Sequence, residues 1–246
     1  MLESLKGFFA NQGLGPDFAD VSAWAKQHGH VFKRERDGCG FVVDGGPEGM
    51  RWRLEWGPSQ RPYISGHELR LRMDLRLPPD LQMLMLSKPL MEALEKQAFE
   101  KFTESNQTEM GSATPEETRW LVLFPKIQID GSRLVRSAFG GVSSLPHEGP
   151  AWLEGPLGHA LDRAAGTLLQ SKPPFVLMTL RGKVYLRMQM TSADATDVAA
   201  ALVLFEIAGA EALRVARARG DEPVSWSSTL STAWQSSLPG YLPGKK

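Results

Sequence analysis

Two segments of the chain alternate apolar and polar side chains with a period of two, and this pattern constrains the fold more than any other feature. Segment 50–56 is apolar on one side, and its other side carries Arg51, Arg53 and Glu55. Segment 69–77 repeats the pattern, and its polar side carries Arg70, Arg72, Asp74 and Arg76. Because successive side chains of a strand point to opposite faces, both segments predict an antiparallel sheet with one buried and one solvated face.

The remaining periodicity predicts what surrounds this sheet. Helical spacing occurs at 17–28, 80–104, 157–169 and 194–219, and strand patterns occur at 31–36, 41–44, 132–139, 175–180 and 183–190. Pro89 predicts a bend or a restart within 80–104, because proline removes a helical donor. Strands cluster along the chain instead of alternating with helices, which favours an α+β fold. We predict an antiparallel sheet of about four strands with flanking helices in the N-terminal half, and a helix–β-hairpin–helix unit in the C-terminal half.

Composition along the chain suggests a division into three parts. An α+β antiparallel-sheet domain over 1–110 is followed by a polar stretch and by a helix-rich α+β domain over 111–220, and the two pack either separately or as one unit. Residues 221–246 are rich in Ser, Pro and Gly and form an extended C-terminal tail, punctuated by Trp226, Trp234 and Tyr241. Such aromatic side chains predict anchors that pack on the body of the protein or on a partner.

Charge and cysteine content narrow the partners and the compartment. Lys and Arg number 28, as do Asp and Glu, so no overall field attracts nucleic acid or an acidic membrane. The longest apolar run, 198–210, is shorter than the roughly 20 residues that a membrane span needs, and no transmembrane segment is predicted. The N-terminus lacks the pattern of a secretory signal, and Cys39 is the single cysteine. These features predict a cytoplasmic protein.

The sequence contains no complete motif that would identify a reaction, because each candidate lacks a required residue or lies in the wrong structural context. The Gly13-Leu14-Gly15 run precedes a proline and follows no strand, so it does not make a phosphate loop. No Gly-x-Ser-x-Gly elbow is present, and His67-Glu68 has Leu71 where the zinc-protease pattern needs a second His. We therefore predict no catalytic residue, no metal and no cofactor.

Two alternatives to this prediction involve side chains that bracket one hairpin. His28, His30, Cys39 and His67 would form a metal site if the fold brought them together. Cys39 alone would be a reactive thiol if a histidine lowered its pKa. The simpler interpretation is that Cys39 is a turn residue and that the histidines lie at the ends of a helix and of strands.

The polar side of the two alternating segments is unusually rich in arginine. If the strands are neighbours, Arg51, Arg53, Arg70, Arg72 and Arg76 share one face, with only Glu55 and Asp74 between them. Arginine is suited to planar recognition of carboxylate or phosphate groups, and like charges across a sheet are destabilising. The competing interpretation is a solvated face, or one that acids of the 80–104 helix neutralise, such as Glu92, Glu95 and Glu100.

Three functional hypotheses follow. The favoured one is a non-enzymatic intracellular interaction or adaptor module, whose arginine face and aromatic tail bind an acidic protein segment or another subunit, including a second copy of itself. The second is a binder of anions, nucleic acid or a membrane surface, which the zero net charge disfavours for nucleic acid. The third is an enzyme whose site is assembled from dispersed residues, and with it a small-molecule ligand.

Overall fold

The computed structural model describes residues 17–36, 38–104 and 114–221. These residues form seven α-helices and eight strands, and a single turn of 3-10 helix follows at Arg219–Asp221. In chain order the elements are α1 Ala19–Gln27, β1 Val31–Arg34, β2 Phe41–Gly45, β3 Trp52–Pro58, β4 His67–Asp74, β5 Met83–Ser87, α2 Lys88–Glu104, α3 Glu116–Leu123, α4 Arg133–Ala138, β6 Phe139–Ser143, α5 Glu148–Leu153, α6 Pro156–Gly166, β7 Phe175–Leu180, β8 Lys183–Gln189 and α7 Ala195–Ala218.

The two alternating segments form neighbouring antiparallel strands, β3 and β4. Trp52 lies opposite Met73, and Leu54 lies opposite Leu71, so the apolar members of both segments share one buried face. Arg53 lies opposite Arg72 on the other face. The broad α+β class and the antiparallel sheet are thus confirmed.

The predicted number of strands is wrong, because all eight strands belong to one sheet. Its order is β1-β2-β3-β4-β8-β7-β5-β6, and every neighbouring pair is antiparallel. The β7–β8 hairpin, predicted as part of the helix–β-hairpin–helix unit of the C-terminal half, joins the N-terminal strands where β8 pairs with β4. Strands from ranges 1–110 and 111–220 therefore form one sheet.

The predicted helix over 80–104 is a strand followed by a helix. Met83–Ser87 form β5, in which every residue is buried, and α2 begins at Lys88. A central strand buried on both faces has no alternation, so the run of Met and Leu residues is indistinguishable from a helical one by periodicity. Pro89 marks the first turn of α2, where proline is tolerated because its missing donor is not needed.

The predicted strand over 132–139 is a short helix, α4, followed by β6. The Ser132 hydroxyl accepts a hydrogen bond from the amide of Val135 at 3.1 Å, which begins the helix. Gly140 and Gly141 lie within β6, where a side chain on Gly141 would collide with β5. The helix–hairpin–helix unit is correct in kind, since β7 and β8 turn at Arg181-Gly182 and α7 follows with Asp194 as its N-cap.

The two faces of the sheet are covered differently. One face packs against α1 and the C-terminal helices in the main core, which includes Phe41, Trp52, Leu71 and Phe205. On the other face, α2 and α3 cover only the β5–β6–β7 end through a smaller core with Leu86, Leu94 and Trp120. The strands from β1 to β4 leave polar side chains on this second face, and the predicted arginine face lies there. None of the described helices is both long enough and apolar enough to cross a bilayer.

Candidate functional site

The second face of the sheet changes from charged to apolar along two continuous rows of directly opposed residues. The first row runs from β1 to β6 through Val31, Asp44, Arg53, Arg72, Tyr185, Met178, Leu84 and Val142. The second row runs from β1 to β5 through Lys33, Val42, Glu55, Arg70, Arg187, Val176 and Leu86. Helices α2 and α3 bury the apolar ends of both rows. The charged ends of the rows form an open surface next to these two helices.

Four arginines meet where these rows cross β3, β4 and β8. Arg53 lies opposite Arg72, and Arg70 lies opposite Arg187, so the side chains of Arg53, Arg70, Arg72 and Arg187 form one cluster. We call these four residues the arginine block. They line a depression of about 140 Å³, together with Glu55, Gln60 and Tyr185.

Carboxylates on the same face neutralise three members of the block. Arg53 binds Asp44 through two hydrogen bonds, from Nε to Oδ1 at 2.7 Å and from Nη2 to Oδ2 at 3.1 Å. This pairing lowers the pKa of Asp44 below its ordinary value, chiefly through the hydrogen bond from Arg53. Arg70 donates from Nε to Glu55 at 3.3 Å and from Nη1 to Glu68 at 3.2 Å.

Glu68 is the buried centre of this network. Its side chain is fully buried, and its Oε1 accepts hydrogen bonds from Arg187 at 2.8 Å and from Arg70 at 3.2 Å. Its Oε2 is buried and has no hydrogen-bond partner among the described residues. Two guanidinium groups thus compensate one buried carboxylate, which holds Arg70 and Arg187 in place at the edge of the depression.

Arg72 differs from the other three arginines of the block. Its side chain is exposed, and it makes no ion pair or side-chain hydrogen bond within the part of the chain that the structure describes. Tyr185 lies directly opposite Arg72 on β8, and Arg53 lies directly opposite on β3. The backbone of Arg72 is therefore held in strand β4, while its exposed guanidinium has donors available to a ligand.

The structure brings together only part of the predicted arginine face. Arg53, Arg70 and Arg72 lie in the block, whereas Arg51 precedes β3 and Arg76 follows β4 in a left-handed conformation with φ 51°. Trp226, Trp234 and Tyr241 lie outside the described residues. Asp44 and Glu68 add to the acids expected on this face.

Two acids of the α2 helix pair with lysines. Glu95 pairs with Lys126 at 2.9 Å, and Glu100 pairs with Lys96 at 3.8 Å. Glu92 is exposed on α2. These two pairs give no support to the interpretation in which acids of α2 cover the arginines.

Sequence reasoning missed Arg187 as a member of the site. Its place on the polar side of the β7–β8 hairpin is visible from the alternation of 183–190. Its neighbour across the sheet is not visible, because the pairing of β8 with β4 joins segments more than a hundred residues apart. Periodicity gives the face of each strand, and only long-range pairing gives its neighbours.

The residues considered for metal binding and for a reactive thiol are dispersed. The ring of His67 stacks on Trp56 with 4.4 Å between centroids, whereas His28 and His30 lie near each other at 6.2 Å. Cys39 is exposed in the turn between β1 and β2. Among the described residues, no three His, Cys, Asp or Glu side chains are grouped as metal ligands.

Comparison with protein-family models, with curated proteins and with solved structures finds no match to this chain.

Proposed function

We propose that this protein is a non-enzymatic intracellular interaction module that binds an acidic protein segment across the open sheet face, at the arginine block. The observation that carries the proposal is Arg72, which is exposed, lies opposite Arg53 and has no acidic partner among the described residues. Like charges directly opposite each other destabilise a sheet. A bound carboxylate next to Arg72 offsets this repulsion.

The geometry of the block suits a carboxylate side chain. A guanidinium binds a carboxylate through two parallel hydrogen bonds, and such charge-assisted bonds are roughly twice as strong as neutral ones. Gln60 and Tyr185 line the same depression and add neutral hydrogen-bonding groups at its rim. One acidic side chain would bind Arg72, and the segment that carries it would lie over the neighbouring charged strands.

The size of the depression supports recognition of a single acidic group. Its volume of about 140 Å³ is well below the roughly 300–1,000 Å³ of sites that enclose small molecules. A side-chain carboxylate or a phosphate group fits this space, and a metabolite enclosed for catalysis needs more. The open sheet around the depression offers an extended segment further contacts, including Lys33 on β1.

A continuous polyanion suits this face less well than a protein segment with separated acids. Asp44 and Glu55 lie among the arginines of the two rows, so a phosphate backbone would meet carboxylates at regular intervals. Among the described residues, Tyr185 is the one aromatic side chain that lines the depression. Base stacking normally uses several such side chains. The second candidate function, binding of nucleic acid or of an acidic membrane surface, remains as an alternative that the test below separates.

The aromatic tail is the second part of the functional hypothesis. Three aromatic side chains of the tail would provide apolar contacts to the partner in addition to those of the arginine block, as aromatic side chains do at many interfaces. They are Trp226, Trp234 and Tyr241. Their role is a prediction from the sequence.

A fluorescently labelled polyglutamate peptide tests the proposal through its anisotropy during titration with the protein. We expect binding by the natural chain and an affinity about 10- to 150-fold lower for Arg72→Gln, because a charge-assisted contact contributes about 1.5–3 kcal/mol. Arg133→Gln is the matched control, since Arg133 is exposed on α4 and lies apart from the block. Arg70 is unsuitable for this test, because its removal leaves Glu68 buried with one partner fewer.

Two results would overturn the proposal. One is an absence of binding by the natural chain at low salt, and the other is equal affinity of Arg72→Gln and the natural chain. Heparin and single-stranded DNA are measured in parallel. Binding to them that exceeds binding to polyglutamate and falls steeply with salt would establish the polyanion alternative instead.

A further inference from the structure

Helix α7 is apolar on both its inner and its outer side. Its inner side packs against the sheet through residues such as Val198, Leu202 and Phe205. Its outer side carries Ala200, Val203, Ile207 and Ala210, and the Val203 side chain is 51% exposed. A helix at a protein surface normally has a polar outer side, and one that is apolar all round is normally buried. The outer side of α7 thus has the composition of a covered surface.

The surface around this outer side is also apolar. An apolar depression of about 180 Å³ lies between α6 and α7 and is lined in part by Ala164, Leu168 and Val203. A second one, of about 400 Å³, lies on the other side of α7 and is lined in part by Met50 and Met73. Ile207 lines both, so the two depressions flank one largely apolar patch, with Glu206 lining one depression and Arg163 the other. Contiguous apolar patches of this kind mark interaction sites.

The exposed positions of α7 follow the spacing of a helix–helix seam. Exposed or half-exposed residues occur at 200, 203, 207 and 210, and the same alternation of three and four residues continues to Arg214 and Arg217. This is the 3.5-residue repeat of positions that interlock when two helices pack nearly in line, at a crossing angle of about 20°. The natural occupant of such a seam is another helix.

The charges at the two ends of the seam identify that helix. Asp194 and Asp197 lie at the N-terminal end of α7, and Arg214 and Arg217 lie at its C-terminal end, all four exposed. A two-fold axis that crosses α7 at the level of residue 205 generates an antiparallel copy of the helix. In this arrangement Ala200 of one copy lies level with Ala210 of the other, and Val203 lies level with Ile207. The same axis brings the acidic end of each helix beside the basic end of the other. A two-fold interface needs this kind of self-complementary surface.

We propose that a second copy of this chain packs on the outer side of α7, forming an antiparallel homodimer through Ala200, Val203, Ile207 and Ala210. The flanking depressions widen the contact beyond one helix, which an interface of standard size requires, since it buries about 800 Å² on each partner. The arginine block lies on the opposite face of the sheet from α7, so dimer formation leaves both copies of the block open.

Sedimentation velocity over a range of concentrations tests the dimer on the full chain. We expect the natural chain to sediment as a dimer at high concentration, and Val203→Asp to raise the dissociation constant about a hundredfold, because the interface then buries two carboxylates in apolar surroundings. Val122→Asp is the matched control, since Val122 is 46% exposed on α3 and lies outside the patch. It should sediment as the natural chain does, and circular dichroism checks that both variants are folded.

Charge reversal tests the antiparallel arrangement. With an axis near residue 205, Arg217 of one copy comes within about one helical turn of Asp194 and Asp197 of the other. Arg217→Glu and Asp197→Lys should each weaken the dimer, and the double variant should recover it in part, because opposite charges meet again. A natural chain that stays monomeric would overturn the proposal, as would equal dimer stability in Val203→Asp. A dimer in which the double variant is no better than either single one would exclude the antiparallel seam.

Discussion

At the scale of single residues, the buried carboxylate of Glu68 explains how Arg70 and Arg187 are held beside each other. A charge removed from water is tolerated when it is paired and hydrogen-bonded, and Glu68 meets this condition through Arg70 and Arg187. Arg72 has no such acidic partner among the described residues, so it differs from Arg70 and Arg187 in having its charge uncompensated.

The first prediction concerns Arg187. Replacement by Met keeps the aliphatic part of the side chain and removes the cation 2.8 Å from Glu68, so the buried carboxylate loses its shorter contact. We expect a loss of about 3 kcal/mol in the free energy of unfolding, measured by urea denaturation. Arg133→Met, on an exposed helix position, should change stability by less than about 0.5 kcal/mol. Equal stabilities would show that the Glu68 network contributes nothing.

The second prediction concerns pH. The hydrogen bond from Arg53 lowers the pKa of Asp44 in the folded protein. In the unfolded chain the pKa of an Asp side chain is about 3.9, so Asp44 binds a proton less readily in the folded state than in the unfolded state. The pair therefore stabilises the fold above that pH, and its contribution disappears as pH falls through the lower, folded pKa. In Arg53→Gln, the pKa of Asp44, followed by carbon NMR of its carboxyl group, should rise towards the ordinary value. An unchanged Asp44 pKa would contradict the pairing.

At the scale of elements, local patterns predicted β3, β4, β7 and β8 and failed for β5. The alternation at 50–56 and 69–77 identified β3 and β4, and the strand patterns at 175–180 and 183–190 identified β7 and β8. Strand β5 lies between β7 and β6 and is wholly buried, so its sequence carries hydrophobicity without a period. Segment 132–138 was predicted as a strand although Ser132 is a favourable N-cap residue. The helix that follows it, Arg133–Ala138, is too short to show a helical period in the sequence.

The loop between β3 and β4 is held to helix α3 by a second buried carboxylate, Glu117. Its Oε1 accepts hydrogen bonds from the Tyr63 hydroxyl at 2.9 Å and from Arg61 Nε at 3.3 Å. Burial, with the adjacent Glu117, raises the pKa of Tyr63 far above its ordinary value, so the hydroxyl stays protonated and donates. This contact joins helix α3, which lies next to the open face, to the β3–β4 loop that carries Gln60.

The third prediction follows from that contact. Tyr63→Phe removes one of two donors to a buried carboxylate, and we expect a loss of about 1–3 kcal/mol in unfolding free energy, with faster amide exchange in the 59–66 loop. Tyr185→Phe provides a comparison, because no hydrogen bond of the Tyr185 hydroxyl is found within the described part of the chain and a smaller loss is expected. Equal losses in the two variants would contradict the role of Glu117.

At the scale of the whole molecule, the candidate site exists because two distant parts of the chain form one sheet. Arg53 and Arg72 were predictable as neighbours, since consecutive alternating strands commonly pair. The position of Arg187 beside Arg70 depends on the pairing of β8 with β4, which no local pattern encodes. The same pairing separates the two surfaces proposed to act, since the arginine block lies on one side of the sheet and the outer side of α7 on the other.

Side-chain NMR of the arginine Nε–H groups measures whether Arg72 is the point of contact for an acidic segment. On addition of a short polyglutamate peptide, we expect the signal of Arg72 to shift in a saturable manner, the signal of Arg53 to respond as its neighbour, and the signal of Arg133 to stay unchanged. A saturable shift at other arginines with an unmoved Arg72 signal would show that the segment binds elsewhere.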